Sequence, residues 1–67
     1  MDSYFEGEAQ LDYKASDFEM ILPGSYVICA VTGERIQLER LRYWSAARQE
    51  AYVDAQASLD AWKKANA

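Results

Sequence analysis

Cys29 is the side chain in this sequence best suited to covalent or metal chemistry. A catalytic thiol needs a neighbouring base or cation to lower its pKa, and the chain contains no histidine. The residues on either side of Cys29 are apolar: Val27, Ile28, Ala30 and Val31. Since unpaired cysteine is among the residue types most often buried, the sequence predicts a structural cysteine in the core, with a reactive or ligating thiol as the alternative.

The segment Cys29-Ala30-Val31-Thr32-Gly33 looks like half of a zinc knuckle, in which a cysteine precedes a tight glycine turn between two strands. A closed structural zinc site needs four cysteine or histidine ligands, and the chain has one cysteine and no histidine. We therefore expect no metal site, and no other pattern indicates a cofactor.

Carboxylates are plentiful, but none stands out as a general acid or base. Asp12 and Glu19 alternate with apolar residues, which is typical of the solvent face of a strand. The chain has no phosphate-binding glycine loop, no serine elbow and no metal-binding helix motif. The sequence thus predicts no catalytic residues and no enzyme activity.

Arginine and aromatic residues are concentrated in one stretch, which gives the candidate partner-binding residues Arg40, Arg42, Tyr43 and Trp44. Arginine offers a planar fork of donors to carboxylate or phosphate, and an aromatic ring beside it can anchor an interface or stack on a base. The alternative is structural: Tyr43 and Trp44 belong to the core, and the arginines pair with the acidic first half of the chain.

The backbone conformation of this stretch decides which candidate side chains share a face. If the stretch is extended, Arg40, Arg42 and Trp44 point to one side and Leu41 and Tyr43 to the other. That arrangement would place the indole between two guanidinium groups.

The elements that carry these residues follow from the pattern of apolar residues. Sixty-seven residues allow one core, and we expect a flexible tail over residues 1–8 and a single α+β domain over residues 9–67. Alternation predicts strands over 9–13 and 18–22, joined by a hairpin turn. Pro23-Gly24 predicts a type II turn, and the apolar run 26–31 a central strand covered on both faces. A short strand follows around Ile36 and Leu38, and residues 41–44 favour a short bridge or edge strand.

The last third of the chain predicts one long helix. Ser45 is a good N-cap, and residues 46–64 are rich in helix formers without glycine or proline. The expected buried stripe consists of Tyr52, Ala55, Leu59 and Trp62, and the expected alanine row of Ala47, Ala51 and Ala55. The predicted architecture is a small antiparallel β-meander of three to five short strands, followed by one long C-terminal α-helix packed on the sheet.

Charge is unevenly distributed along this acidic chain, whose net charge is -4. Residues 1–34 carry seven acids and one lysine, giving -6, whereas residues 35–67 carry four acids and six bases, giving +2. The overall acidity argues against general nucleic-acid binding. The single cysteine, the lack of a secretion signal and the lack of a long apolar run predict a cytoplasmic protein.

Several blocks of the sequence resemble one known family. They are Gly7-Glu8-Ala9, Pro23-Gly24, residues 29–33, then Ile36, Leu38 and Leu41, and finally residues 42–45 and 49–52. In this order they resemble the domain-of-unknown-function family DUF2093, short alphaproteobacterial proteins. The resemblance implies a bacterial cytoplasmic source and no particular activity.

Two functional hypotheses follow from the sequence. The first is a small non-catalytic protein-interaction module that binds another protein, with self-association as one form of this. The alternative is a binder of RNA or of a nucleoprotein, with the basic and aromatic stretch from Arg35 to Arg48 contacting phosphates and Trp44 stacking on bases.

Overall fold

The computed structural model describes residues 7–66 of the chain. They form β1 (Gln10–Tyr13), β2 (Phe18–Leu22), β3 (Tyr26–Ile28), β4 (Arg35–Gln37), one turn of 3-10 helix (Leu38–Arg40), β5 (Tyr43–Ser45), β6 (Glu50–Tyr52) and α1 (Ala55–Ala65). The prediction of an α+β fold with short antiparallel strands and a C-terminal helix is confirmed. The predicted strand over residues 18–22 coincides with β2.

The strands form three two-stranded antiparallel sheets: β1 with β2, β3 with β4, and β5 with β6. The prediction of a single meander sheet is therefore wrong. Among the described residues, the two strands of each hairpin form a ladder only with each other. Among residues 7–66, isolated parallel bridges connect the hairpins, one between Glu8 and Tyr26 and one between Cys29 and Ala51.

The predicted tail lies mostly outside the described residues, which begin at Gly7. The carbonyl of Gly7 accepts a hydrogen bond from the N–H of Ser25 at 2.9 Å, and Glu8 bridges to Tyr26. The last two residues of that predicted tail therefore contact the domain. The boundary between tail and domain stays a prediction.

Gly24 is required for a close approach of two backbone segments. A Cβ at this position would lie 2.6 Å from the Cα of Ala9, which is too close for any side chain. Among the described glycines, Gly33 has a positive φ, of 79°, and Gly24 does not. The predicted type II turn at Pro23-Gly24 is thus wrong: the position needs glycine because Ala9 passes directly over it.

The predicted central strand over residues 26–31 is shorter than expected. β3 ends at Ile28, and Cys29 forms a single bridge before the chain turns at Ala30. Within the turn, the N–H of Gly33 donates to the carbonyl of Cys29 at 3.0 Å. Val31 is exposed in this turn, because the apolar run continues past the last residue that has a strand partner.

The helix begins nine residues after the predicted start. Ser45 ends β5, and its hydroxyl accepts the N–H of Arg48 in the following turn. The N-cap is Asp54, whose carboxylate accepts the N–H of Ala57 at 2.8 Å. Gln49 has a φ of 55°, which no right-handed helix can contain, and β6 follows it. The predicted cap at Ser45 is therefore wrong.

The side of α1 that meets the core is also different from the prediction. Ala57 is buried and Ala61 packs against the core, whereas Leu59 is 44% exposed and Trp62 57% exposed. Small residues let the helix approach β5 and β6 closely, so the larger apolar residues are left outside. The predicted alanine row does not exist either, since Ala47 lies in a turn and Ala51 in β6. Lys63 and Lys64 lie in the last helical turn, where positive charge suits the helix dipole.

The core lies where the three hairpins meet. Its buried members are Ala9, Leu11, Tyr13, Val27, Cys29, Ile36, Leu41, Ala51, Tyr52 and Ala57. No helix among residues 7–66 combines the length and the apolar character that crossing a bilayer would require.

Candidate interaction surfaces

Trp44 on β5 packs inward against aromatic side chains of the first hairpin. Its ring is stacked with Tyr13 at a centroid distance of 6.3 Å and meets Phe18 edge-on at 5.5 Å. The indole Nε1 donates to the carbonyl of Lys14 at 2.7 Å. Both the ring and its one donor are therefore used in joining β5 to the β1–β2 hairpin.

Arg42 and Tyr43 lie beside Trp44 around a shallow cavity of about 280 Å³, whose other residues include Ser16 and Ser58. Arg40 lines a different cavity of about 430 Å³, together with Arg35. The four candidate residues thus divide between two surface depressions.

The predicted placement of the indole between two guanidinium groups is wrong. Arg40 lines a different cavity from Arg42 and Trp44, so the two guanidinium groups do not lie on either side of the indole. The 3-10 turn ends at Arg40, and the extended segment begins only after it, so strand alternation does not run through all five residues.

The arginines form fewer ion pairs than expected if they paired with the acidic first half of the chain. Within residues 7–66, Arg48 forms an ion pair, with Glu50 at 3.6 Å, while Arg35, Arg40 and Arg42 form none. Arg35 lies over the ring of Tyr26, with its guanidinium carbon 4.5 Å from the ring centroid. Pairing with the acidic first half of the chain therefore does not occur in the part that the structure describes.

Arg48, Glu50 and Tyr52 form a small polar network at the edge of the core. Arg48 Nη2 donates to the Tyr52 hydroxyl at 2.9 Å, and that hydroxyl donates to Glu50 Oε1 at 2.9 Å. Burial raises the pKa of Tyr52 above its usual value, and Glu50 adds to this, while the Arg48 hydrogen bond opposes it. The network satisfies a tyrosine that is otherwise fully buried.

Cys29 is buried, with its sulfur inside the turn that follows β3. The N–H of Thr32 donates to the Cys29 Sγ at 3.4 Å. Burial alone would raise the pKa of the thiol, but hydrogen bonds from Thr32 and from the backbone N–H groups of Val31 and Val53 lower it below its usual value. The described residues contain no group of three or more acidic, cysteine or histidine side chains placed to hold a metal ion.

We did not predict from the sequence that the apolar residues at the end of β2 are exposed. Its last three residues, Met20, Ile21 and Leu22, are 49%, 56% and 55% exposed. The signal was present, because three consecutive apolar residues break the alternation that a half-buried strand should show. Within residues 7–66, β1 is the one strand that pairs with β2, so the second edge of β2 has no strand partner there.

The model of one bacterial protein family matches residues 20–61, which is more than half of the chain. Its description reads uncharacterised protein conserved in bacteria, DUF2093. The chain belongs to the DUF2093 family. Neither a curated protein nor a solved structure matches the chain.

The DUF2093 match confirms the family that the sequence blocks indicated, although its limits differ from the predicted 7–52. It begins at Met20 in β2 and ends at Ala61 in α1, so it includes the exposed end of β2, the Cys29 turn and all four candidate residues. The description places the family in bacteria and names no activity. An alphaproteobacterial source stays a prediction.

Proposed function

We propose that this DUF2093 protein is a small non-catalytic protein-interaction module and that β2 is its main binding element. The observation that supports this is the apolar end of β2, where Met20, Ile21 and Leu22 are exposed next to a strand edge that has no strand partner among residues 7–66. Exposing such residues is unfavourable in water, and contiguous apolar surface in a small protein is typical of an interface.

A catalytic role has little support from the side chains available. The chain has no histidine, and its one cysteine is buried. A cavity of about 470 Å³ between β1 and β3 has Glu8 and Glu50 in its wall, but no nucleophile activated by a base. The unpaired thiol suits a reducing compartment, so we place the module in the bacterial cytoplasm.

A nucleic-acid partner is less well supported than a protein partner. The chain carries a net charge of -4, and phosphate backbones favour a basic footprint. The Trp44 indole, which was expected to stack on bases, is engaged with Tyr13, Phe18 and the Lys14 carbonyl. Arg40, Arg42 and Tyr43 nevertheless form a second candidate surface, since neither guanidinium has an acidic partner among residues 7–66.

The test is an affinity pull-down from a lysate of the source bacterium, with and without nuclease. The wild-type chain is compared with Ile21→Asp, which adds a charge to the exposed end of β2. Val31→Asp is the matched control, because Val31 is 42% exposed and lies in the turn after β3 and not in β2. We expect Ile21→Asp to lose a protein that the wild type and Val31→Asp both retain after nuclease treatment.

The same experiment tests the arginine surface with the double variant Arg40→Ala, Arg42→Ala. Folding should survive, because exposed charges without partners change stability by under about 0.5 kcal/mol each. Partners lost only by this variant and released by nuclease would support nucleic-acid binding instead. If all variants retain the same proteins as the wild type, β2 is not the binding element and the proposal fails.

A further inference from the structure

We propose that the open edge of β2 binds an extended segment of another protein as an added antiparallel strand, and that this segment combines apolar residues with lysine or arginine. The inference rests on the proposed function and specifies the chemistry of the partner. It is derived from the hydrogen-bonding register of the first hairpin and from the charges around it.

The register of the hairpin shows which backbone groups of β2 point outward. The N–H of Lys14 donates to the carbonyl of Asp17 at 2.8 Å, and the next pairs are Tyr13 with Phe18, Asp12 with Glu19, and Leu11 with Met20. In an antiparallel ladder, pairs that exchange hydrogen bonds alternate with pairs that do not. The N–H and C=O groups of Phe18 and Met20 therefore point away from β1.

On the opposite edge of the same hairpin, a side chain binds the backbone groups of Tyr13. Gln49 Oε1 accepts the N–H of Tyr13 at 2.9 Å, and Gln49 Nε2 donates to the Tyr13 carbonyl at 2.7 Å. Just before β1, the N–H of Ala9 donates to the carbonyl of Tyr26 at 2.7 Å. The outward groups of Tyr13 and the N–H of Ala9 are thus satisfied on the β1 side, while none of the described residues satisfies those of Phe18 and Met20 on the β2 side.

β2 has only part of the usual protection of an edge strand, in the charge of Glu19 and the bulge at Ile21. Proteins commonly place lysine or proline in such strands to prevent pairing, and β2 contains neither. Its one irregularity is the extra residue Ile21, since Leu11 faces Met20 while Gln10 faces Leu22. This bulge restricts regular pairing to the first part of the strand, so the added segment is short.

Charge distinguishes the proposed partner from a second copy of this chain. Residues 10–22 contain three acids, Asp12, Asp17 and Glu19, and one lysine, Lys14, giving -2. Lys14 lies 3.0 Å from Asp12 and 3.8 Å from Glu19, whereas Asp17 has no ion pair within residues 7–66. Two such hairpins would repel each other. A segment with basic residues opposite Asp17 and Glu19 and apolar residues opposite the end of β2 would be attracted.

The experiment uses the full chain labelled with nitrogen-15 and a synthetic octapeptide with capped ends. In antiparallel orientation its first half, Val-Thr-Val-Thr, faces the apolar end of β2, and its second half, Lys-Thr-Lys-Thr, faces the acids. The control peptide replaces lysine with glutamate. We expect saturable changes in amide chemical shift that are confined to Phe18–Leu22. The glutamate peptide should bind with a Kd about tenfold higher than the lysine peptide at low salt.

Three variants separate strand addition from simple apolar or ionic attraction. Met20→Pro removes an outward N–H without touching the β1 ladder and should abolish binding, whereas Met20→Ala removes the side chain but keeps the N–H and should bind. The double variant Asp17→Lys, Glu19→Lys should reverse the preference between the two peptides.

Shifts centred on Leu59 and Trp62, equal binding of both peptides, or equal binding by Met20→Pro and Met20→Ala would overturn the inference. So would sedimentation of the peptide-free protein as a dimer that Met20→Pro dissociates, since the occupant would then be a second copy. If Ile21→Asp loses its partner in the pull-down but the lysine peptide does not bind, the inference fails while the proposed function stands.

Discussion

At the scale of single residues, Gln49 connects two distant parts of the chain through one amide group. It bonds both backbone groups of Tyr13, and its Nε2 also donates to the Ala46 carbonyl at 2.7 Å. Its φ of 55° lies in the left-handed region, which costs a residue with a Cβ roughly 1–2 kcal/mol. Backbone strain at this position is therefore offset by the hydrogen bonds of the side chain.

This balance predicts an unusual order of stability at position 49. Gln49→Ala should lower the free energy of unfolding by about 2 kcal/mol, because the Tyr13 groups lose their partner while the strain remains. Gln49→Gly should be more stable than Gln49→Ala by about 1 kcal/mol, since glycine accepts this φ. Denaturant midpoints measure both, with the exposed Gln10→Ala as the control. An alanine variant equal to wild type would show that the amide contributes nothing.

The Cys29 thiol gives a second prediction at this scale. Because its native pKa is lowered, the native state releases its proton at lower pH than the unfolded chain does. Stability from the thiolate is therefore present above the ordinary pKa of cysteine and is lost as pH falls through the native pKa. Thiolate absorbance at 240 nm should rise at lower pH in native protein than in denatured protein, with Cys29→Ala as the blank.

Thr32 provides the test of the cause. Thr32→Ala removes the side-chain contribution of Thr32 to the lowered pKa of the thiol and keeps the N–H that donates to the sulfur, so the native titration should move to higher pH. An unchanged midpoint in Thr32→Ala would contradict the assignment of the shift to Thr32. Labelling of the native thiol should stay slow in either protein, because Cys29 is buried.

At the scale of elements, α1 depends on its cap at Asp54. Asp54→Ala should cost about 1 kcal/mol and should speed amide exchange of Ala57, whose N–H the carboxylate binds. Asp54→Asn keeps an acceptor oxygen and should retain most of the stability. Ser45→Ala should leave Ala57 exchange unchanged, because Ser45 binds Arg48 in a turn before β6. Faster Ala57 exchange in Ser45→Ala would place the start of the helix at Ser45 after all.

At the scale of the whole molecule, the two tryptophans have opposite environments. Trp44 joins β5 to the first hairpin through Tyr13, Phe18 and the Lys14 carbonyl, whereas Trp62 is mostly exposed on α1. Trp44→Ala should lower the free energy of unfolding by about 3 kcal/mol, and Trp62→Ala by under about 0.5 kcal/mol. Equal losses in urea unfolding would contradict the packing of α1 described above.

Local patterns in the sequence were sufficient for the elements whose conformation depends on near neighbours. Alternation identified β2 with correct bounds and all of β1 with a start one residue early, and Thr32-Gly33 identified the turn in which Gly33 has positive φ. The absence of histidine and of a second cysteine likewise limited the chemistry before any fold was known. These inferences need only residue types and spacing.

The tertiary structure decided what local propensity could not. Residues 46–52 contain three alanines and favour a helix, yet β6 forms there because Trp44 and Cys29 both pair with Ala51. The indole of Trp44 donates to the carbonyl of Lys14, which lies 30 residues earlier in the chain. The N–H of Tyr13 donates to the side-chain amide of Gln49, which lies 36 residues later. Periodicity shows which residues share a face, but it does not show which face finds a partner. The helix therefore buried Ala57 and left Leu59 and Trp62 outside.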